Sequence, residues 1–353
     1  SDLFQLSKRD MRGKERPQRV TIPVALRKVG PTSEAKDRSM TDHAASSASK
    51  ERPVIAYSFI EPLREAIAAH PSAPVVLDYT KTAKPWDVPP EARLLMCFHA
   101  GWEDAPATKP AGWPYGLEQI NVLSAGVDKY PDWFFEDVPV TCGRGVSAEA
   151  IAEFALTAIF AQDKQIVALS GKGPDDPMPP VRGIAGKTVG LLGTGAIGAA
   201  IARRALAMDM RVVATSRSGR APEGLSVEML ESAADVLAVS DHAVIAMPLT
   251  EDTRGMVDGA LLAAAKPGLH LVNVARGEQI VDADLLAALD SGQVGFATLD
   301  VTDPEPLPED HPLRLHPRTL ITPHISWMAE DNLDRLIAKT LRGYERFLAG
   351  ESP

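Results

Sequence analysis

The fold of this chain is decided by the stretch Val189-Gly190-Leu191-Leu192-Gly193-Thr194-Gly195-Ala196-Ile197-Gly198. Its first four residues predict a buried strand, and a G-x-G-x-x-G turn then opens a helix rich in Ala and Ile. Gly193 permits the tight turn, Gly195 lets the backbone approach a pyrophosphate, and Gly198 lets helix and strand pack closely. An anion would lie at the positive end of the helix dipole. The motif alone fits an ordinary turn, but this strand-turn-helix context predicts dinucleotide binding.

Strand and helix patterns alternate regularly beyond this stretch. The predicted strands cover residues 189–192, 212–214, 243–247, 271–274 and 296–299. The predicted helices cover residues 196–208, about 227–238 and about 259–264, and a further helix is capped by Asp282. Such alternation predicts one doubly wound α/β domain with a parallel sheet.

A second region with the same kind of pattern begins at Pro53 and precedes this domain. Its predicted strands cover residues 54–57, 75–77, 94–98 and 120–123, and a short helix covers residues 62–69. This alternation again predicts a parallel sheet that is covered on both faces.

Helices and a linker connect the two regions. A long helix is predicted from its cap Ser147 to Leu169, with Gly171 as its stop. Its apolar positions are Ile151, Phe154, Ile159 and Ile166. Residues 171–180 are rich in Gly and Pro and predict a linker. After Ile321 a final amphipathic helix is expected to pack against the first region. Its apolar face consists of Leu333, Leu336, Ile337, Leu341, Tyr344 and Phe347.

The composition is that of a soluble globular protein, with 45% apolar and 24% charged residues and a net charge of −10. An acidic balance argues against nucleic-acid binding, which needs clustered Lys and Arg. The two cysteines, Cys97 and Cys142, lack C-x-x-C spacing, so we expect neither a disulfide framework nor a metal site, and a cytoplasmic location is favoured. The absence of a long apolar run and of a signal-peptide pattern predicts no membrane span and no secretion.

Residues 1–52 differ from the rest of the chain. They contain 12 Lys and Arg against 7 Asp and Glu, show little apolar periodicity and are rich in Ser and Ala at residues 44–49. We interpret them as a poorly ordered tail. An arm for an anionic partner, or a targeting segment, is the alternative.

From about Pro53 to Leu348 the chain resembles the D-isomer-specific 2-hydroxyacid dehydrogenase family. The order and spacing of seven separated segments carry the resemblance and are far more specific than any one of them. These segments are Ser124–Asp128, Ile151–Phe154, the glycine motif, Pro248–Gly255, Val274–Gly277, Leu299–Leu307 and Thr322–Ile325.

The resemblance implies that a doubly wound (Rossmann) nucleotide domain is inserted into a second α/β domain. The inserted dinucleotide-binding domain would comprise residues 148–324, including the linking helix. Residues 53–147 and 325–353 would form a flavodoxin-like substrate domain. The family also implies a homodimer formed through the nucleotide domain.

The family pattern places its catalytic Arg, Glu and His at Arg276, Glu305 and His324. Reduction of a 2-keto acid develops negative charge on the C2 oxygen, so a proton donor with a pKa near neutrality is needed, and His324 would supply it. Glu305 would favour the charged imidazole and orient the ring. Arg276 offers two coplanar donors, which suit the substrate carboxylate and the polarised carbonyl. Each of the three could be structural when taken alone.

Further binding residues follow from the same pattern. The small residues Ser124, Ala125, Gly126 and Val127 end a strand, and their N–H groups could hold a carboxylate. The cofactor-binding residues that the resemblance implies are Gly193, Gly195, Ala196, Ile197, Gly198, Pro248, Val274 and Asp300.

The strand after the glycine motif bears on the choice of cofactor. An NAD site needs Asp or Glu about 20 residues after the first glycine to bind the ribose hydroxyls. Here the strand ends Ala214-Thr215-Ser216-Arg217-Ser218, without an acid at that place. Arg217, helped by Ser216, Ser218 and Arg220, could bind a 2′-phosphate, so NADP(H) is favoured. The alternative is a solvated Arg217 with NAD(H) as the cofactor.

The substrate is the least determined feature. Glyoxylate and hydroxypyruvate are the favoured 2-keto acids, and His99, Trp102 and Trp327 are candidate pocket residues that could equally be structural. One alternative is a cofactor-sensing protein like the corepressors of this fold, which keep the same three catalytic residues. Another is a dehydrogenase for a donor such as phosphite. Formate is disfavoured because the family's formate enzymes carry Gln where Glu305 stands.

Overall fold

Two β-sheets, each wholly parallel, form the framework of the part of the chain that the structure describes. The computed structural model describes residues 52–79, 84–173 and 175–352. The predicted tail at residues 1–52 therefore lies outside the described residues, apart from Arg52. Strands alternate with helices as the apolar patterns predicted, and this alternation covers the faces of each sheet.

The first sheet has five strands in the order β2-β1-β3-β4-β5. The strands are β1 (Val54–Ser58), β2 (Val75–Asp78), β3 (Leu94–Cys97), β4 (Gln119–Val122) and β5 (Val140–Cys142). This is the flavodoxin-like order, which confirms the predicted fold class of the region. The strand pattern did not reveal β5, because it has three residues at the sheet edge and all three are partly exposed.

The second sheet has seven strands in the order β12-β11-β10-β9-β6-β7-β8. The strands are β6 (Thr188–Leu192), β7 (Arg211–Thr215), β8 (Glu228–Met229), β9 (His242–Ile245), β10 (Leu269–Asn273), β11 (Val294–Leu299) and β12 (Thr319–Ile321). The order contains the Rossmann arrangement, and it reverses between β6 and β9. A crevice for ligands is expected outside the carboxyl ends of these two strands.

Nine α-helices cover the sheets within the described residues. They are α1 (Glu61–Ala68), α2 (Ala148–Lys164), α3 (Ile166–Leu169), α4 (Ala196–Ala207), α5 (Ala233–Val239), α6 (Gly259–Ala263), α7 (Asp282–Ser291), α8 (Pro312–Leu315) and α9 (Asn332–Ala349). Helices α2 and α4 pack on one face of the second sheet, and α5, α6 and α7 pack on the other. None of these nine helices has the length and apolarity needed to cross a membrane.

The helix predicted near residues 227–238 is wrong in its first half. Residues Glu228 and Met229 form β8, which pairs with β7 at the edge of the sheet. The helix begins only at Ala233, because Ser232 and Asp235 form a capping box in which each side chain accepts from the other's backbone N–H, at 3.1 Å in both cases.

The single helix predicted for residues 147–169 is also wrong, since it breaks at Gln165. Gln165 adopts a left-handed conformation with φ 52°, and this ends α2 before the short α3 begins. Ile166 was expected on the apolar face, but it is 59% exposed because it lies beyond the break. The remainder of the linker, residues 171–180 without the undescribed Pro174, contains neither helix nor strand, as predicted.

Two predicted helix caps do not act as caps. Ser147 occupies the cap position of α2, but its hydroxyl donates to Asn332 Oδ1 at 3.1 Å instead of accepting from the helix. Asp282 is the first helical residue of α7, and Val281 occupies the cap position. The carboxylate of Asp282 still lies in the first turn, where the helix dipole favours an anion.

Helix α9 packs against the first sheet, as its amphipathic pattern predicted. Tyr344 is completely buried there among the apolar side chains of β1, β3 and α1, and its hydroxyl bonds Ser72 Oγ at 2.8 Å. The chain thus returns to the first sheet after completing the second. The domain boundaries at residues 147 and 324 remain predictions.

A chain of buried polar side chains crosses the second sheet. Asp163 of α2 bonds His242 Nε2 at 3.1 Å and also pairs with Lys187. The Nδ1 atoms of His242 and His270 lie 3.1 Å apart, and His270 Nε2 lies 3.0 Å from Thr298 Oγ1. When His242 donates to Asp163 as a neutral ring, its Nδ1 accepts from His270 and the Thr298 hydroxyl donates to His270. Every polar atom of this side-chain network then has a hydrogen-bond partner.

We expect His270 to make the protein less stable in acid. Burial, reinforced by the charge of His242, lowers the pKa of His270 to about 3. The unfolded chain takes up this proton below pH 6.5, about three units before the native state does. The stabilisation is therefore complete above pH 6.5 and is lost as the pH falls, by up to about 1.4 kcal/mol per pH unit.

Urea denaturation of the wild type and of His270→Gln at pH 7.5, 6.5 and 5.5 measures this effect. The free energy of unfolding should fall less steeply with decreasing pH in His270→Gln than in the wild type. Leu285→Val removes a methylene group from a fully buried residue without a titrating side chain, so this control should lower the stability and keep the wild-type slope. Identical slopes for the wild type and His270→Gln would contradict the expectation.

Candidate active site

The glycine turn joins β6 to α4 and leaves one side open. Gly193 has φ +112°, and a Cβ there would lie 2.8 Å from the Ala246 carbonyl oxygen. A Cβ on Gly198 would overlap the Gly193 carbonyl oxygen, so the first turn of α4 packs directly on the strand end. A Cβ on Gly195 would meet nothing within 4 Å. The packing at Gly193 and Gly198 agrees with the tight turn and the close helix–strand contact that the motif predicted, and the approach of a pyrophosphate at Gly195 stays a prediction.

The residues of this turn fit the pyrophosphate of a dinucleotide. The open side of Gly195 lies at the amino end of α4, where the first turn of Ala196, Ile197 and Gly198 leaves N–H groups without intrahelical partners. The cap residue of α4 provides no side-chain oxygen to those groups. An anion at this place would accept from them and gain from the helix dipole.

The turn after β7 carries the residues predicted to choose the cofactor. It lies beside the glycine turn, since Thr194 Oγ1 donates to the Arg220 carbonyl oxygen at 3.2 Å. Ser216 and Ser218 face each other with their hydroxyl oxygens 3.3 Å apart. Arg217 and Arg220 are exposed, and neither has an ion-pair partner among the described residues. The turn therefore presents two free positive charges and two hydroxyl groups beside the expected phosphate site.

Arg276 connects the second sheet to the first. It follows β10, and its guanidinium forms a bidentate pair with Asp128, with Nε at 3.2 Å from Oδ2 and Nη2 at 3.0 Å from Oδ1. Asp128 belongs to the loop that follows β4. A Cβ on Gly126 of that loop would overlap Arg276 Nη2, so only glycine allows the guanidinium to lie so close. The predicted Arg276 and the predicted cradle residue Gly126 are thus neighbours.

Asp128 belongs to this site, although sequence reasoning did not select it as a site residue. Burial favours its neutral form, but the hydrogen bonds and the charge of Arg276 outweigh burial and hold its pKa below the usual value. The carboxylate is therefore ionised at neutral pH and orients the guanidinium. The only signal in the sequence was its place at the end of the small-residue segment Ser124–Asp128.

The rest of the predicted substrate cradle is held by its own hydrogen bonds. Ser124 Oγ donates to the Gly126 carbonyl oxygen at 2.8 Å, which fixes the turn containing Ala125. The Gly143 N–H donates to the Ser124 carbonyl oxygen at 2.7 Å, and this links the loop after β4 to the loop after β5. Ser124, Ala125, Gly126 and Val127 therefore lie at the carboxyl edge of the first sheet, beside Arg276.

His324 and Glu305 form the hydrogen-bonded pair that the sequence predicted. His324 Nδ1 lies 2.7 Å from Glu305 Oε1, which leaves Nε2 available for another group. Both side chains are partly exposed, 39% for His324 and 42% for Glu305. His324 lies just beyond β12 with φ +53°, and its N–H donates to the Asp300 carbonyl oxygen at 2.9 Å. The ring is thus fixed at one nitrogen and open at the other.

Asp300 holds the loop that carries His324. It is 1% exposed, and its carboxylate accepts from Thr322 Oγ1 at 2.6 Å and from the N–H groups of Ile325 and Ser326 at 2.9 Å. These bonds fix the loop on both sides of His324. The direct cofactor contact of Asp300 that the resemblance implied remains a prediction.

The other predicted cofactor residues lie at the same edge of the second sheet. Pro248 follows β9, the strand beside the glycine turn. Val274 follows β10 and is 5% exposed, with its side chain in the core beside Val244 and Val272. Any contact of Val274 with a ligand would therefore involve its backbone.

The three candidate pocket residues are in different environments. Trp102 is 1% exposed and packs at 4.7 Å from the Phe134 ring inside an aromatic cluster, so it is a core residue rather than a pocket wall. Trp327 is 45% exposed, three residues after His324. His99 is partly buried, and burial lowers its pKa against the opposing charge of Glu103.

Comparisons with known proteins show the family of the chain. A family model described as "D-isomer specific 2-hydroxyacid dehydrogenase, NAD binding domain" matches residues 156–326. The chain is 31% identical to the glyoxylate reductase of Thermofilum pendens over 272 aligned residues. The aligned region covers 73% of this chain and 79% of that protein. The chain belongs to the D-isomer-specific 2-hydroxyacid dehydrogenase family.

Other relatives extend the likeness within the 2-hydroxyacid dehydrogenase family. The chain is 37% identical to glyoxylate/hydroxypyruvate reductase A of Serratia proteamaculans over 169 residues. This aligned region covers 47% of this chain and 53% of that protein. In four of the most similar relatives, the region that aligns with this chain is about half of the relative's length, between 44% and 55%. A crystal structure of the Xanthobacter autotrophicus D-isomer specific 2-hydroxyacid dehydrogenase, in complex with NADPH and MES, is 29% identical with a TM-score of 0.67, covering 85% of this chain and 96% of that one.

Gly195→Ala separates cofactor binding from stability. Because nothing lies within 4 Å of the added Cβ, the melting temperature of the ligand-free protein should stay at the wild-type value. The same methyl group would occupy the space of the pyrophosphate, so the Kd for NADP⁺ or NAD⁺ should rise at least about tenfold, or about 1.4 kcal/mol.

Gly183→Ala is the matched control, because a Cβ at Gly183 also meets nothing within 4 Å and its neighbour Arg182 bonds the Asp163 carbonyl oxygen near the end of α2, not the glycine turn. This variant should change neither the melting temperature nor the Kd. Calorimetric titration and thermal denaturation measure the two quantities. An unchanged Kd in Gly195→Ala would reject the cofactor site.

Proposed function

We propose that the protein is an NAD(P)-dependent reductase of small 2-keto acids that prefers NADPH and acts on glyoxylate or hydroxypyruvate. The observation that carries the proposal is the His324–Glu305 pair at 2.7 Å, which lies with Arg276 at the same edge of the sheet as the glycine turn. The names of the relatives from Thermofilum pendens and Serratia proteamaculans support the substrate class.

Arg276 and the loop after β4 would bind the carboxylate of the keto acid. The guanidinium offers coplanar N–H groups to carboxylate and carbonyl oxygens. The N–H groups of Ala125, Gly126 and Val127 would hold the second carboxylate oxygen. Because Asp128 already orients the guanidinium, little reorganisation is needed when the substrate arrives.

His324 would transfer the proton of the reaction. The cofactor, when bound, supplies the hydride that is added to C2 of the keto acid. His324 Nε2 would donate a proton to the C2 oxygen, so the keto acid gains one hydride and one proton and becomes the hydroxy acid. In the reverse direction His324 Nε2 would accept that proton. Glu305 holds Nδ1 and would stabilise the imidazolium form that donates.

The tight packing around the cradle favours a small substrate. A Cβ at Gly126 would force the Arg276 guanidinium to move, and a Cβ at Gly143 would overlap the Leu123 carbonyl oxygen. Glyoxylate and hydroxypyruvate carry only hydrogen or a hydroxymethyl group beside the carbonyl. Trp327 stays a candidate wall on the side of His324.

His324→Gln tests the reaction. The amide cannot donate a proton as an imidazolium does, so kcat with hydroxypyruvate and NADPH should fall by about 10²–10⁴. The Kd for NADPH should remain near the wild-type value, because the glycine turn is unchanged. His316→Gln changes the histidine that caps the carboxyl end of α8 and is the control, which should retain full turnover. Turnover in His324→Gln at the wild-type rate would reject the assignment.

The preference for NADPH rests on the turn after β7. Arg217 and Arg220 lie free there, with the hydroxyl groups of Ser216 and Ser218 beside them. A 2′-phosphate would accept charge-assisted hydrogen bonds from these groups, and the absence of an acid removes the repulsion that such a phosphate would meet.

Arg217→Ala should weaken NADPH binding much more than NADH binding. Loss of a hydrogen bond between charged groups should raise KM for NADPH at least about tenfold, with KM for NADH nearly unchanged. Arg182→Ala provides the control, since Arg182 is an equally exposed arginine near Asp163, away from the turn. Initial rates with both cofactors measure the two KM values. Equal effects on NADPH and NADH would contradict the proposed preference.

The proposed homodimer is supported by apolar side chains that are exposed on the nucleotide-domain side. Ile166 and Val167 of α3, and Met178 and Val181 further along the chain, are between 55% and 69% exposed. A second copy of the chain covering them would remove this apolar surface from water. Two free thiols, Cys97 and Cys142, support the proposed cytoplasmic location.

A further inference from the structure

Two buried amide side chains hold the backbone of Arg276. Asn273 Nδ2 donates to the Arg276 carbonyl oxygen at 2.7 Å. Gln279 Oε1 accepts from the Arg276 N–H at 3.2 Å. Both amide residues are 0% exposed. The direction in which the arginine side chain leaves the backbone is therefore fixed from both of its peptide groups.

The other end of the Gln279 amide reaches the loop after β9. Gln279 Nε2 donates to the Met247 carbonyl oxygen at 3.3 Å and to the Pro248 carbonyl oxygen at 3.4 Å. This loop lies against the glycine turn, since a Cβ on Gly193 would be 3.1 Å from Met247 Cβ. One side chain thus bridges the loop beside the cofactor turn and the backbone of Arg276.

Only a side chain with both a donor and an acceptor can form this bridge. The Arg276 N–H requires an acceptor, and the Met247 carbonyl requires a donor. An apolar side chain at position 279 would remove all three hydrogen bonds from a buried site. An ionised carboxylate would accept from Arg276 but would repel the two carbonyl oxygens. A protonated carboxyl group could again do both.

We propose that Gln279 is a positioning residue through which the loop beside the glycine turn sets Arg276 for the substrate carboxylate. The inference rests on the proposed function, because it requires Arg276 to bind that carboxylate. A cofactor that orders Met247 and Pro248 also orders Arg276 through the same amide. Binding of the cofactor and binding of the carboxylate therefore strengthen one another.

Gln279→Met tests the bridge, because it keeps the length of the side chain and removes its hydrogen bonds. KM for hydroxypyruvate should rise at least about tenfold, while kcat falls less and the Kd for NADP⁺ changes little. Oxalate serves as the carboxylate probe in calorimetric titrations of the full chain with and without NADP⁺. The factor by which NADP⁺ tightens oxalate binding should be clearly above one in the wild type and approach one in Gln279→Met.

Gln279→Glu gives a pH-dependent readout that a merely structural role would not produce. At high pH the carboxylate should raise KM for hydroxypyruvate as Gln279→Met does. As the pH falls, protonation of the buried carboxyl group restores the donor, so the ratio of its KM to the wild-type KM should decrease. A ratio that stays constant between pH 8 and pH 5.5 would overturn the proposed bridge.

Leu285→Val is the control for loss of stability, because Leu285 is a fully buried core residue of the neighbouring α7. It should lower the melting temperature and leave KM and the oxalate coupling unchanged. An active wild type with an unchanged KM and coupling in Gln279→Met would overturn this inference alone. A wild type that reduces neither keto acid and does not bind oxalate would overturn the proposed function and the inference with it.

Discussion

The parallel direction of every strand is the constraint on which the whole arrangement depends. In a parallel sheet all carboxyl ends lie at one edge, so residues far apart in the chain meet there. The glycine turn after β6, Arg276 after β10 and His324 after β12 reach the same edge in this way. The carboxyl edge of the first sheet supplies the opposing loop with Gly126 and Asp128. Neither sheet alone holds the complete set of groups.

The ion pair between Arg276 and Asp128 joins these two edges. It is bidentate and only partly exposed, with 29% of the arginine side chain and 17% of the aspartate side chain accessible. Partial burial strengthens the attraction compared with a surface pair, and the remaining exposure leaves the guanidinium open to a second anion. A substrate carboxylate would therefore bind to a guanidinium group that Asp128 already orients. Gly126 is the steric condition for this contact, since any side chain there would displace the guanidinium.

The sequence predicted those parts of the protein that depend on local pattern. Apolar strands followed by glycines identified the turn at Gly193, and spaced motifs identified Arg276 and the pair of Glu305 with His324. Residues that act through tertiary contacts had no such signal. The role of Gln279 depends on Met247, which only the fold brings to its amide group. The helix break at Gln165 depends on a left-handed backbone conformation that a glutamine in the sequence does not predict.

Hydrogen-bond partners distinguish the structural histidines from the proposed catalytic one. His242 and His270 are each 2% exposed, and both nitrogens of each ring have partners within the chain. No ring nitrogen of these histidines is left for a ligand, so their role in the sheet is structural. His324 is 39% exposed, and Glu305 occupies only its Nδ1. Because Nδ1 is held and Nε2 is free, the ring keeps its orientation and can still exchange a proton through Nε2. Acid–base catalysis requires both properties.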